Sequence, residues 1–471
     1  MTVASWPRSR GTPERWPDAR CIGADVRQPR SNDRKGSTPV RISAFLSAFR
    51  TPDLRKKLLF TLGMLGLFRL GTVVPTPGVD YTAIQRCIDV VQDNSLYALV
   101  NLFSGGALLQ LSIFALGIMP YITASIILQL LRVVIPRLES LQKEGQSGQA
   151  QITQYTRYLT IGLAVLQSAS ILALARNPGQ LFQGCNEQLI PNQGFTQMAV
   201  MVITMTAGTA MVMWFGELIT DRGVGNGMSL LIFTSIISVM PAQFIGIWGS
   251  RGPVAFLLTL AVGVGVIAFV VFMEQAQRRI PVQHGRALVG RRYYGGASTY
   301  IPLKVNMAGV IPVIFASSIL FIPSLIVNLS GSDGGVAQWF LRNFATGTHP
   351  IYLVTFFLLI VFFAYFYVSI TFNPEEVAEN LNKSNGFIPG IRPGRATSKY
   401  LGYVINRLTA PGSVYLAVIA TLPVLAFSGL GVAQNFVFGG TSLLIMVGVG
   451  LDTVKQIESQ LQQRNYEGFL R

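Results

Sequence analysis

Few residues in this sequence could make or break bonds, and those few are scattered. The chain has two His, His284 and His349, and three Cys, Cys21, Cys87 and Cys185. Three thiols are too sparse for a disulfide scaffold or a thiolate metal site, and two imidazoles leave little for acid–base work. No Gly-x-x-x-x-Gly-Lys-Ser/Thr loop is present to cradle a nucleotide, and there is no His-Glu-x-x-His, Cys-x-x-Cys or Gly-x-Ser-x-Gly. Ion-coupled transport usually needs carboxylates at membrane depth, yet Glu217 and Asp452 fall at the expected ends of their helices. Arg69 is the one ionisable group well inside an apolar run, about 6 residues or roughly 9 Å from its end, where snorkelling or structural pairing is expected. The reading is therefore not an enzyme, with no metal and no cofactor.

The residues that remain build spans. Of 471 residues, 50% are hydrophobic and only 12% charged, with a net charge of +16 and a mean hydropathy of +0.46. Soluble domains carry about a quarter charged residues, and disordered chains are poor in apolar ones. A polytopic membrane protein is left. Runs of roughly 20 apolar residues fall at 58–75, 112–131, 152–175, 197–216, 228–247, 254–273, 305–327, 351–372, 412–430 and 438–454. The ends and alternate connectors hold 32 of the 37 basic residues, so both termini and the long connectors 274–304 and 373–411 are expected in the cytoplasm. Cys87 and Cys185 then share the outer side, and the sequence leaves open whether they pair. Residues 1–39 show no hydrophobic periodicity and read as a disordered or spurious extension. An amphipathic stretch follows at 40–57, where Ile42, Phe45, Leu46 and Phe49 recur at helical spacing, and the native start is expected near Val40.

Three features exceed what span-building requires. The stretch 96–131 is too long for one straight helix, and Ser104-Gly105-Gly106 breaks it. A half-helix folded into a cavity and a helix on the outer surface fit that spacing equally well. Polar residues lie on otherwise apolar helices, among them Thr123, Gln167, Asn306 and Ser317. Singly these are ordinary helix glue, and together they suggest a contact that opens and closes. The connector 274–304 alternates polar and apolar residues like a projecting hairpin, and Gly390-Ile391-Arg392-Pro393-Gly394 makes a rigid turn presenting one Arg. Basic projecting loops suit RNA phosphate or an acidic protein surface, although holding the loops inside would suffice to explain them.

Read in order, these segments resemble the SecY family, the channel-forming subunits of the bacterial Sec translocase. The resemblance is carried by Phe68-Arg69-Leu70-Gly71, Phe103-Ser104-Gly105-Gly106, Ile113 to Gln129, Gly223-Val224-Gly225-Asn226-Gly227, Lys304 to Ser318, Gly390 to Gly394 and Phe438-Gly439-Gly440-Thr441-Ser442, and it covers about 50–470. It implies an all-α polytopic fold of ten transmembrane helices in two pseudo-symmetric halves, 58–247 and 254–454, with a cytoplasmic tail at 455–471. It implies a pore ring of Ile118, Ile122, Ile232, Ile314 and Ile445, and a plug on 96–110 that includes Phe103, Ser104, Gly105 and Gly106. Thr123, Gln167, Asn306 and Ser317 become a lateral gate. Arg286, Arg291, Arg292 and Arg392 become the docking positions for the SecA ATPase or a ribosome. The implied partners are SecE, SecG, signal-bearing polypeptides and membrane lipids, with SecD/SecF and YidC beyond them, at the bacterial cytoplasmic membrane. Without the resemblance each of the five isoleucines reads as ordinary helix packing. A small-solute transporter, or a membrane-embedded enzyme such as a flippase-transferase or protease, would need polar or catalytic groups that the chain lacks.

Overall fold

The computed structural model describes residues 52–90, 104–176, 189–191, 194–284, 287–289, 292–294, 298–330, 335, 339, 343, 349–429 and 440–467. Two compact units separate at Ser47 and Ala48. The first unit, with the expected extension 1–39, lies outside the described residues, and all that follows concerns the second.

Helix α1 (Pro52–Val73) begins with Pro52 and carries Asp53 in its first turn, where a missing N–H costs nothing and a carboxylate meets the positive end of the helix. Helix α2 (Tyr81–Val90) is started by Asp80, whose carboxylate accepts from the Thr82 and Ala83 N–H groups and from the Thr82 hydroxyl. The segment expected as a span at 112–131 is helical only from Met119, where α3 (Met119–Val134) begins. Ahead of it the chain turns repeatedly, with positive φ at Gly105, Gly106, Leu111 and Gly117, and such a path cannot continue a right-handed helix. Ile135, extended because Pro136 follows it, ends α3. Helix α4 (Pro136–Lys143) then leaves at a bend of 105°.

Helices α5 (Gln146–Ala175) and α6 (Phe195–Arg222) pack against one another. Helix α7 (Gly227–Gln275) is capped by Asn226, whose side chain accepts from the Met228 and Ser229 N–H groups. It is broken at Gly252 (φ +79) ahead of Pro253, so the two expected spans occupy its two parts. Strands β1 (Gln277–His284) and β4 (Ser298–Lys304) then pair antiparallel from Gln277↔Lys304 to Gln283↔Ser298. Between them β2 (Ala287–Val289) pairs with β3 (Arg292–Tyr294). The expected hairpin is thus present and is the exception to an otherwise helical fold. Helices α8 (Ile311–Ser330), α9 (Pro350–Thr371) and α10 (Pro374–Lys383) follow. Strand β5 (Gly386–Phe387) adds to β1. Helix α11 (Arg395–Gly429) starts well before the expected 412, because its polar first turns continue the helix beyond its apolar part. Helix α12 (Gly440–Glu467) runs past the expected 454 for the same reason.

Four helical stretches among the described residues are long and apolar enough to cross a membrane on their own, and the bent pair α3–α4 makes a fifth. The other expected spans fall on helices with polar turns or shorter apolar stretches. Leu166, Phe272, Val254 and Leu358 are all more than 60% exposed. So many outward apolar side chains are tolerable where lipid covers them. The protein is a multi-pass membrane protein.

Candidate functional site

Four helices deliver isoleucines to one apolar cluster. Ile118, the N-cap of α3, and Ile122 one turn later meet Ile232 of α7, Ile314 of α8 and Ile445 of α12. Four of the five are buried, and Ile122 is partly so. Around them stand Met64 and Phe68 of α1 and Phe215 of α6. Phe114 stacks on Phe68 at 6.1 Å between ring centres and meets Phe215 edge-on at 6.3 Å. A constriction of branched apolar side chains gives a passing peptide no hydrogen bond to hold, and it dewets when it closes.

Residues 104–118 lead into this cluster: Ile113, Phe114 and Ile118 belong to it, whereas Leu108, Leu111 and Ala115 pack in a second buried cluster with Ile84, Met201 and Met205. Ala107, Leu108, Leu111 and Ala115 are buried, which places the segment inside the protein and not on its surface. The Ser104 hydroxyl accepts from the Leu108 N–H at 3.1 Å. The Thr76 N–H donates to the Leu111 carbonyl, and the Ile113 N–H to the Val74 carbonyl, each at 3.0 Å, so the segment is laced to the end of α1. Arg69 Nη1 donates to the Gly105 carbonyl at 2.6 Å. Phe103 and the start of the expected half-helix lie outside the described residues. Cys87 belongs to the same buried cluster as Leu108 and Leu111 and is disulfide-bonded, to a partner outside the described residues.

On the hairpin side a cavity of about 470 Å³ opens above Ile122, Ile232 and Ile314. Tyr121, Ser125 and Gln129 line it together with Arg157 and Glu217. Arg157 and Glu217 form a two-pronged ion pair, with both N···O distances 2.8 Å. Asp221 lines the same wall beside the pair, so the cavity is polar and charged on the side away from the isoleucines.

The four expected gate residues are not joined by hydrogen bonds. The Thr123 and Ser317 hydroxyls donate to the carbonyls of Met119 and Ile314 on their own helices. Asn306 turns away, donating to Glu274 and to the Gly309 carbonyl. Gln167 is half-buried. Helix α8 nevertheless contacts both α3 and α5, so the helices that carry three of these residues do meet.

Of the expected docking residues, Arg392 sits exposed between two turns with positive φ at Gly390 and Gly394. Its carbonyl accepts from the Thr397 hydroxyl at 2.9 Å. Arg292 lies on β3 at the tip of the hairpin, and Arg286 and Arg291 lie outside the described residues. Arg279 covers the Tyr300 ring at 4.9 Å across the β1–β4 pair. Lys304 approaches Asp452 of α12 at 3.6 Å and so ties the hairpin base to a helix that contributes to the isoleucine cluster. The Arg157–Glu217, Asn306–Glu274 and Arg69–Gly105 contacts had no sequence signal, because each joins residues 32 or more positions apart.

A SecY family profile matches residues 112–454. A protein translocase subunit SecY of Streptomyces scabiei is 62% identical over 440 residues, 91% of this chain and all of that protein. Among solved structures, a SecY channel whose plug domain stabilises its closed state and maintains a membrane seal matches with a TM-score of 0.57 at 19% identity, covering 86% of this chain and 91% of that one. Sec61 in the canine ribosome–channel complex matches with a TM-score of 0.54 at 18% identity and the same coverage. The two solved structures bear on the fold alone, and the sequence relative bears on the family. With a profile match across all the isoleucines of the central cluster and 62% identity along nine-tenths of its length, this chain belongs to the SecY family, the protein-conducting channel subunits of the protein translocase.

Proposed function

We propose that this chain moves unfolded polypeptides through the five-isoleucine constriction and releases apolar segments sideways into lipid. The expected plug at 96–110, of which residues 104–110 are described, closes the constriction. The hairpin face, where the basic residues collect, is cytoplasmic and receives SecA or a ribosome. A SecE-like clamp and SecG complete the channel, which sits in the bacterial cytoplasmic membrane. The observation that carries this reading is the convergence of Ile118, Ile122, Ile232, Ile314 and Ile445, drawn from four helices, into one cluster with a turn-rich segment packed beside it. Sideways release needs no fuel of its own, because about 20 apolar residues partition downhill into hydrocarbon once exposed to it. With no phosphate-binding loop in the chain, the drive for export must come from a partner.

Proteoliposomes holding the chain with its SecE-like clamp should take up a secretory precursor when SecA and ATP are supplied. Arg392→Glu should lower that uptake about tenfold while leaving the complex assembled, since reversing an exposed docking charge mainly weakens the encounter. No uptake by the wild-type complex would refute the reading. Normal uptake by the variant would refute the motor role of the turn alone.

A further inference from the structure

An arginine buried among apolar helices is costly unless something holds it, and Arg69 is held by the chain it faces. Its neighbours on α1, Leu67 and Leu70, are exposed to the surroundings of the helix, whereas Arg69 is half-buried and turned inward. The Thr72 hydroxyl donates to the Arg69 carbonyl at 2.7 Å and accepts from Arg69 Nη1 at 3.2 Å, which fixes the direction of the side chain. The same Nη1 reaches the Gly105 carbonyl at 2.6 Å. Gly105 is buried, with φ +70, and a Cβ there would come within 3.2 Å of the Ser235 Cα on α7. The peptide carrying that carbonyl is therefore clasped between α1 and α7.

We infer that Arg69 is the latch of the plug: its guanidinium holds the Gly105 carbonyl through a charge-assisted hydrogen bond that must break before residues 104–110 can leave the pore. The inference rests on the plug reading above and names the residue that sets the strength of the seal. Because the acceptor is a backbone carbonyl, the latch is independent of plug side chains. Displacing the plug strands a cation at membrane depth, and that cost adds to the resting seal. Removing it shifts the closed–open equilibrium toward open, so a signal segment with less differential affinity for the open state can still open the channel.

The test uses the complex with its SecE-like clamp in planar bilayers, with no substrate present. Arg69→Gln should raise the idle ion conductance about tenfold and admit precursors with weakened apolar signals, the scale expected for loss of one charge-assisted bond. Arg69→Lys, which keeps a cationic donor, should restore most of the seal. Deletion of 104–110 is the reference for an unplugged channel. If the deletion leaks and Arg69→Gln stays as tight as wild type, the latch is wrong and the plug reading stands. If the deletion does not leak, the plug reading falls and the latch with it. Equal leaks in Arg69→Lys and Arg69→Gln would overturn the role of charge. Should Arg69→Gln fail to assemble, Thr72→Val, which frees the Arg69 side chain, must leak, and a tight Thr72→Val channel would overturn the proposal.

Discussion

Asp80 illustrates how one capping carboxylate supports a helix that packs against residues 104–118. It caps α2 with three hydrogen bonds on one carboxylate oxygen, and the Thr82 hydroxyl, followed by the Ala83 and Thr82 N–H groups, holds its carboxyl below the usual carboxylate range. A depressed native pKa stabilises the fold above the unfolded value, and that contribution disappears as pH falls through the native one. Thermal midpoints of the purified complex measured downward from pH 5 should therefore fall less in Asp80→Asn than in wild type, starting from a lower value at neutral pH. Parallel curves would contradict the capping role. At this scale the sequence is least legible. Asp80 could be read as a cap from its local spacing, but Arg69 finds its acceptor 36 residues away and Arg157 finds Glu217 60 residues away. Isoleucine is an ordinary helix-packing residue, so its convergence became visible through family resemblance and folded contacts.

Helices were easier to read, and their exceptions have local causes. The apolar runs mark where chain crosses lipid, while α11 and α12 extend beyond them because polar turns can stay helical once a helix has been nucleated. The late start of α3 follows from the glycines before it, a signal present in Ser104-Gly105-Gly106 but silent on the path taken. Close approach of elements is likewise written in glycine. A Cβ on Gly71 would fall onto the Phe114 ring, whereas one on Gly66 would meet nothing within 4 Å. Gly71→Ala should cost about 1–3 kcal/mol through overpacking. Gly66→Ala should be neutral or stabilising by up to about 1 kcal/mol, since alanine is the better helix former. Midpoints of thermal unfolding for the two variants check the contrast, and equal midpoints would show that α1 does not press on Phe114 as described.

Taken whole, the molecule sorts its residues by environment. Apolar side chains cover the surface that faces lipid, the Arg157–Glu217 ion pair and Asp221 line the cavity beside the isoleucines, and Arg392 stands exposed near the hairpin. A net charge of +16 is compatible with an uncharged central cluster, because the five isoleucines and the apolar residues packed around them carry none of it. The proposed path runs through the isoleucine cluster. Single Cys replacements at Ile118, Ile122, Ile232, Ile314 and Ile445 should each crosslink to a secretory polypeptide stalled in transit, while Cys at the outward-facing Leu166 or Phe272 should not. Translocation that proceeds without a crosslink at any of the five would show that the polypeptide takes another path.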